Sequence, residues 1–227
     1  ELETMGARDS TLVFFTGDNG MNMGHHGIYG KGNGTFPQNM YDTSVKVPAI
    51  FWLPGRVPEG VICRDLLSHY DFLPTLLDFL AVDNPLEEQL PGRSFAPLLR
   101  GKTLGQKPVV VFDEYGPVRM IRSERWKYVH RHPYGPHELF DLKEDPEERS
   151  NLYGEAGNAK RVAELKGELD SWFHRYADPA LDGSHEAVTG KGQLGLAGPA
   201  GRGQKVWADD WHYLGEGPSK KPSVVDY

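Results

Sequence analysis

Leu12 to Phe15 is an apolar run too short for a helix, and it passes at once through Thr16-Gly17-Asp18-Asn19-Gly20 into a loop holding Gly24, Gly27, Gly30, Gly32 and Gly34. An apolar run punctuated by glycines predicts a buried parallel strand. Asp18 and Asn19 then stand just past its carboxyl end. In open α/β sheets ligands bind at that edge, because the loops there are free to carry chemistry while the strands hold them still.

A carboxylate beside an amide oxygen is ligand chemistry for calcium or magnesium rather than for a thiolate-loving metal. Calcium takes six to eight oxygens, so two residues must be supplemented from elsewhere, and Asp-Asn-Gly is also compatible with a plain turn. His25, His26 and Lys31 follow within the glycine-rich loop. Lysine is a compact charge able to hold an anionic oxygen, and histidine can pass a proton near neutral pH. A P-loop is excluded, since Gly-x-x-x-x-Gly-Lys-Ser/Thr ending at Lys31 would need glycine at 25 and a hydroxyl residue at 32, where His25 and Gly32 stand.

Net charge of −7 argues against nucleic acid as the main partner. No run of eighteen apolar residues predicts a membrane span, and Cys63, in Val-Ile-Cys-Arg-Asp, is expected to be a small buried hydrophobe. Strands are expected near 12–16 and 48–53, and a helix from Asp71 to Leu80. Asp71 would cap that helix, Pro74 falls in its first turn, and Phe72, Leu73, Leu76, Leu77 and Leu80 would form its core stripe. Beyond about residue 105, Val109–Phe112, Val118–Ile121, Trp126–Val129 and Glu138–Asp141 predict an antiparallel sheet. Val162, Leu165, Leu169, Trp172, Phe173 and Tyr176 then recur at helical spacing. The expected organisation is a larger α/β unit over 1–105, a small sheet-plus-helix unit over 106–177, and a glycine-rich tail or lid over 178–227, where Trp207, Trp211, His212 and Tyr213 hint at some packing.

Taken in order, these segments resemble the carboxyl-terminal half of a type I sulfatase of the alkaline phosphatase superfamily. Thr-Gly-Asp-Asn-Gly at 16–20 is similar to the second metal-binding segment, and Gly-His-His-Gly-Ile-Tyr-Gly-Lys at 24–31 to the family's Gly-x-His-Gly-x-x-Gly-Lys loop. Tyr41–Pro48, the Asp71-Phe-Leu-Pro-Thr-Leu run, Pro91-Gly-Arg-Ser and Glu138-Leu-Phe-Asp-Leu-Lys-Glu-Asp-Pro-Glu-Glu continue the series, which covers about residues 1–176. Lys46 departs from the family's usual arginine, and the Cys-x-Pro/Ala-x-Arg nucleophile motif is absent.

The resemblance implies the C-terminal part of an alkaline-phosphatase-like mixed α/β sheet sandwiched by helices, followed by a smaller α+β subdomain. It implies hydrolysis of a sulfate ester in a sulfated small molecule or carbohydrate. Asp18 and Asn19 would bind one calcium ion, with magnesium or manganese the less fitting choices. Lys31 would bind the sulfate or bridging oxygen, His26 would contact substrate or donate a proton, and His25 is the second choice. A formylglycine nucleophile and further metal ligands would come from an N-terminal half, so this chain alone would be inactive, and the compartment would be periplasmic, secreted or lysosome-like. A phosphonate or phosphate ester hydrolase of the same superfamily, or a non-catalytic remnant, remains open. Tyr29, His132, Tyr134, His137 and Trp211 are candidates for a substrate-selecting pocket.

Overall fold

The computed structural model describes residues 1–35, 37–113 and 116–185. Strand β1 (Val13–Thr16) leads into a small hairpin of β2 (Asn22–Met23) and β3 (Tyr29–Gly30), then a short helix α1 (Asp42–Val45) and strand β4 (Ala49–Trp52). β1 pairs with β4 in antiparallel register, Phe14 opposite Phe51 and Phe15 opposite Ile50. This corrects the expected buried parallel strand. An apolar run reports how apolar its two faces are, and it carries no information on the direction of the strand that will hydrogen-bond to it.

One face of the β1–β4 pair is built into a core. Phe14 stacks on Phe51 with ring centroids 4.4 Å apart and on Phe72 at 4.7 Å. The other face is open, with Phe15 61% and Ile50 57% exposed. Helix α2 (Phe72–Phe79) follows a 3₁₀ turn at His69–Asp71, and α3 (Ala96–Leu99) lies against it. Phe79, Leu53, Phe95, Ala96 and Leu99 form the cluster between them.

Two sequence readings of α2 change. Asp71 does not cap α2 with its side chain; its carboxylate closes a capping box with Ser68 one turn earlier and accepts a further hydrogen bond from the Arg93 backbone N–H at 2.8 Å. Burial pushes its pKa up in spite of those bonds. The buried residues of α2 are Pro74, Thr75 and Phe79, whereas Leu73 and Leu80 are exposed. The leucine stripe at helical spacing is therefore only partly the inward face, because Thr75 satisfies its hydroxyl on Asp71 O at 2.6 Å and can be buried in place of a leucine. Cys63 is exposed rather than buried, its Sγ turned to the Asp65 carboxylate at 3.3 Å.

The second half forms the expected meander: β5 (Val109–Phe112), β6 (Val118–Arg122), β7 (Trp126–Arg131) and β8 (Glu138–Asp141), each antiparallel to the next. Strand alternation gives the sheet two faces. Val110, Ile121, Tyr128 and Leu139 pack against Leu165, Leu169 and Phe173 of helix α4 (Ala159–Tyr176). Each such side chain contributes about 1.5–3 kcal/mol of burial. Val118, Met120 and Val129, on the opposite face, cover Met40. The sheet is thus a slab between α4 and the segment that follows the glycine-rich loop.

No helix among the described residues is long and apolar enough to cross a membrane. From residue 186 onward the expected tail or lid, with Trp207, Trp211, His212 and Tyr213, lies outside the described residues.

Candidate active site

At the carboxyl end of β1 the Asp18–Asn19 turn folds back on itself. The Asn19 N–H donates to Asp18 Oδ1 at 2.8 Å, and Asn19 Nδ2 donates to Gly20 O at 2.8 Å, which turns Asn19 Oδ1 away from its own backbone. Lys31 reaches across from the end of β3 and donates from Nζ to that oxygen at 3.0 Å. Three of the residues singled out from the sequence are thereby brought together, although twelve positions separate Asn19 from Lys31. Asp18, Asn19 and Lys31 line an open groove of about 1240 Å³, and Lys46 lines it too. The two lysines are suited to an anionic ligand, and the carboxylates of Asp18, Asp42 and Asp65 line the same groove.

The histidines lie on the loop's other side. His25 accepts the Met23 N–H on Nδ1 at 3.3 Å. His26 has a left-handed backbone, φ 54°, and lays its ring flat on Tyr41, centroids 3.8 Å apart and planes 7° apart. Neither ring lines the groove beside Lys31. Asn19 and His26 are therefore held by different partners.

Beneath the loop is a polar network that single-residue reading of the sequence missed. Asn39 Nδ2 donates to the carbonyl oxygens of Lys31 and Gly32, each at 3.2 Å, and Asn39 Oδ1 accepts from Ser44 Oγ at 2.6 Å. Ser44 Oγ in turn accepts from Asn22 Nδ2 at 2.6 Å, while Ser44 O accepts from the Gly20 N–H at 2.9 Å. Asn22, Asn39 and Ser44 are all buried. The signal in the sequence was weak: small amides and hydroxyls read as turn formers, and only the fold places them where each satisfies the next. Gly20 completes this packing, since a Cβ there would lie 2.3 Å from Thr43 O.

The donor chemistry of Asp18 and Asn19 fits a hard cation, and Lys31 shows that Asn19 Oδ1 is presented outward to positive charge. The two residues offer at most three oxygens. Among the described residues no group of three His, Cys, Asp or Glu side chains is arranged to hold a metal.

The pocket candidates do not gather at this groove. Tyr29 and Tyr134 are exposed elsewhere, and His132 and His137 sit in a ring cluster around His130. Trp211 lies outside the described residues.

Comparison with known proteins adds a family. A sequence profile described as N-sulphoglucosamine sulphohydrolase, C-terminal, matches residues 24–174. An N-acetylglucosamine-6-O-sulfatase of Bacteroides thetaiotaomicron is 30% identical over 207 residues, covering 86% of this chain and 36% of that protein. A solved structure in complex with its substrate D-glucosamine-2-N,6-O-disulfate is similar with a TM-score of 0.68 at 29% identity, over 82% of this chain and 38% of that one. The phosphonate monoester hydrolase of Agrobacterium radiobacter is similar with a TM-score of 0.64 at 28% identity, over 76% of this chain and 37% of that one. The chain spans little more than a third of the length of the curated relatives it matches.

Proposed function

This chain belongs to the N-sulphoglucosamine sulphohydrolase C-terminal family, with an alkaline-phosphatase-like α/β fold, and from that premise we propose that it supplies the anion-holding wall of a sulfatase active site. In the reaction water adds across the ester S–O bond, leaving an alcohol and sulfate. The observation that carries the reading is the meeting of Lys31 Nζ with Asn19 Oδ1 at 3.0 Å on a groove that also holds Asp18 and Lys46.

Each residue has a part that follows from its chemistry. Lys31, a point charge on a glycine-rich loop, holds a sulfate oxygen or the bridging oxygen and stabilises the negative charge that grows there as the S–O bond breaks. Asp18 and Asn19 are the residues that would hold a calcium ion, whose charge would draw electron density from the sulfate oxygens. The remaining ligands and a formylglycine nucleophile would come from polypeptide outside these 227 residues. His26 is the first choice of proton donor to the leaving oxygen and His25 the second, a role that requires the ring to leave Tyr41 and turn into the groove, which neither histidine lines in this structure. A sulfated carbohydrate or other small sulfate ester is the substrate class, in keeping with the relatives' names.

The test is turnover of 4-nitrophenyl sulfate beside 4-nitrophenyl phosphate and a phosphonate monoester by the full-length protein. Lys31→Ala should lower sulfate ester turnover by about 10²-fold or more, as loss of one electrostatic contact to developing charge does, with the melting temperature nearly unchanged because Lys31 is exposed. Unchanged turnover in that variant would remove Lys31 from the mechanism. Preference for the phosphonate ester would favour the second reading, which the likeness to the Agrobacterium phosphonate monoester hydrolase supports. No turnover of any ester would leave a binding role.

A further inference from the structure

Three cations of the small sheet point at the segment that runs from the glycine-rich loop into the first residue of α1. Arg131 on β7 donates from Nε and Nη2 to Gln38 O at 3.1 and 3.0 Å. Lys127, two alternations away on the same face, donates to Met40 O at 3.0 Å and meets the carboxylates of Asp42 and Glu148 at 2.5 Å each. Arg122 on β6 reaches both oxygens of Asp42 at 3.3 Å. Lys127 is 0% and Arg131 4% exposed.

The segment Gln38–Asp42 answers with an alternation of its own. Residues 38, 40 and 42 are held by the sheet. Residues 39 and 41 serve the loop: the Asn39 amide ties the carbonyls of Lys31 and Gly32, and the Tyr41 ring carries His26. This short strap therefore joins the buried cations to the two loop residues assigned chemistry above.

A buried ionic cluster is a poor way to gain stability, because desolvation offsets most of the attraction and well-packed apolar residues do as well. What such a cluster supplies is one geometry, since its hydrogen bonds are directional and any other arrangement strands a charge. We propose that Lys127 and Arg131 are positioning residues that fix the strap 38–42 and thereby, through Asn39, set Lys31 against the Asp18–Asn19 turn and, through Tyr41, fix the ring of His26 on the loop's other side. The proposal rests on the sulfatase reading for its kinetic consequence and on geometry alone for its structural one.

Both are measurable on the full-length protein with Arg131→Lys, which keeps the charge and loses the fork, and Lys127→Met, which keeps the stem and loses the charge. Hydrogen exchange by mass spectrometry should quicken in peptides covering residues 24–36 while those of α2 hold their rates. With 4-nitrophenyl sulfate, kcat should fall by about 10²-fold, the size of loss a displacement of about 1 Å produces, with KM little changed. Faster exchange spread evenly over the chain, or an unchanged loop with unchanged kcat, would overturn the positioning role. If Lys127→Met does not fold, Arg131→Lys decides the matter by the same two readings. If the parent protein turns over no sulfate ester, the sulfatase reading fails and the exchange pattern alone judges the strap.

Discussion

At the scale of single residues, the site depends on side chains that are small as much as on those that are charged. Gly20 does not adopt a left-handed backbone, so its requirement is space: a Cβ would stand 2.3 Å from Thr43 O and 3.1 Å from Lys46 O, both backbone atoms that cannot swing aside. Gly20→Ala should cost about 1–3 kcal/mol, the usual range for overpacking, and should lower turnover as well by shifting the adjoining Asp18–Asn19 turn. Calorimetry beside a turnover assay checks both halves, and a variant as stable as the parent would mean that the turn relaxes freely. Types and spacing singled out Asp18, Asn19 and Lys31, and the fold brings Lys31 to Asn19. The amide and hydroxyl residues that hold them were not, because Asn22, Asn39 and Ser44 acquire their partners only from the fold.

At the scale of elements, the small sheet and α4 were legible in the sequence within one or two residues at most ends, and α4 shows why. Its apolar positions recur at one-face spacing and all three of its buried residues, Leu165, Leu169 and Phe173, belong to that stripe. Gly167 sits on the outer face of the helix, with open space where a methyl group would stand and no positive φ. Gly167→Ala should therefore raise stability by about 0.5–1 kcal/mol, through a smaller loss of backbone freedom on folding. A thermal melt checks it, and a lower melting temperature would reveal a contact at that face. Alternation on β7 was legible as strand, but the meaning of Lys127 and Arg131 was not. Cations at every second or fourth strand position normally mark a solvated face, and here that face is covered by the strap.

At the scale of the whole molecule, the ionisable groups inside the fold make its stability depend on pH. His130 lies on the α4 face of the sheet, where burial and the neighbouring His132 and His137 push its pKa down to about 4. Lys166 opposes its protonation as well, and Asp170 favours it. The unfolded chain binds that proton from about pH 6.5 downward and the folded chain does not, so stability is full above that pH and falls as pH drops toward 4. Between about pH 6.5 and about pH 5 the loss should reach about 1.5 kcal/mol at most. Asp42 acts in the same direction at lower pH: burial alone would raise its pKa, but Lys127 and Arg122 outweigh burial and hold the carboxyl below its ordinary range. Glu148 acts oppositely, because burial outweighs Lys127 there. His130→Gln isolates the histidine, and its melting temperature should fall less than the parent's on acidification; parallel curves would remove His130 from the balance.

What the sequence determined by itself was local: the short strands and their turns, the amphipathic α4, the oxygen chemistry of Asp18 and Asn19, and the family to which the ordered motifs point. These are properties of neighbours along the chain, where residue type and period suffice. The tertiary structure alone decided that β1 runs antiparallel to β4, that Cys63, Leu73 of α2 and Leu80 just past its end face outward, and that Lys127 and Arg131 on one strand hold the segment under Lys31. Those outcomes join residues up to 93 positions apart. Pairing across such distances depends on which groups are left unsatisfied after every nearer choice has been made, and no local pattern records that.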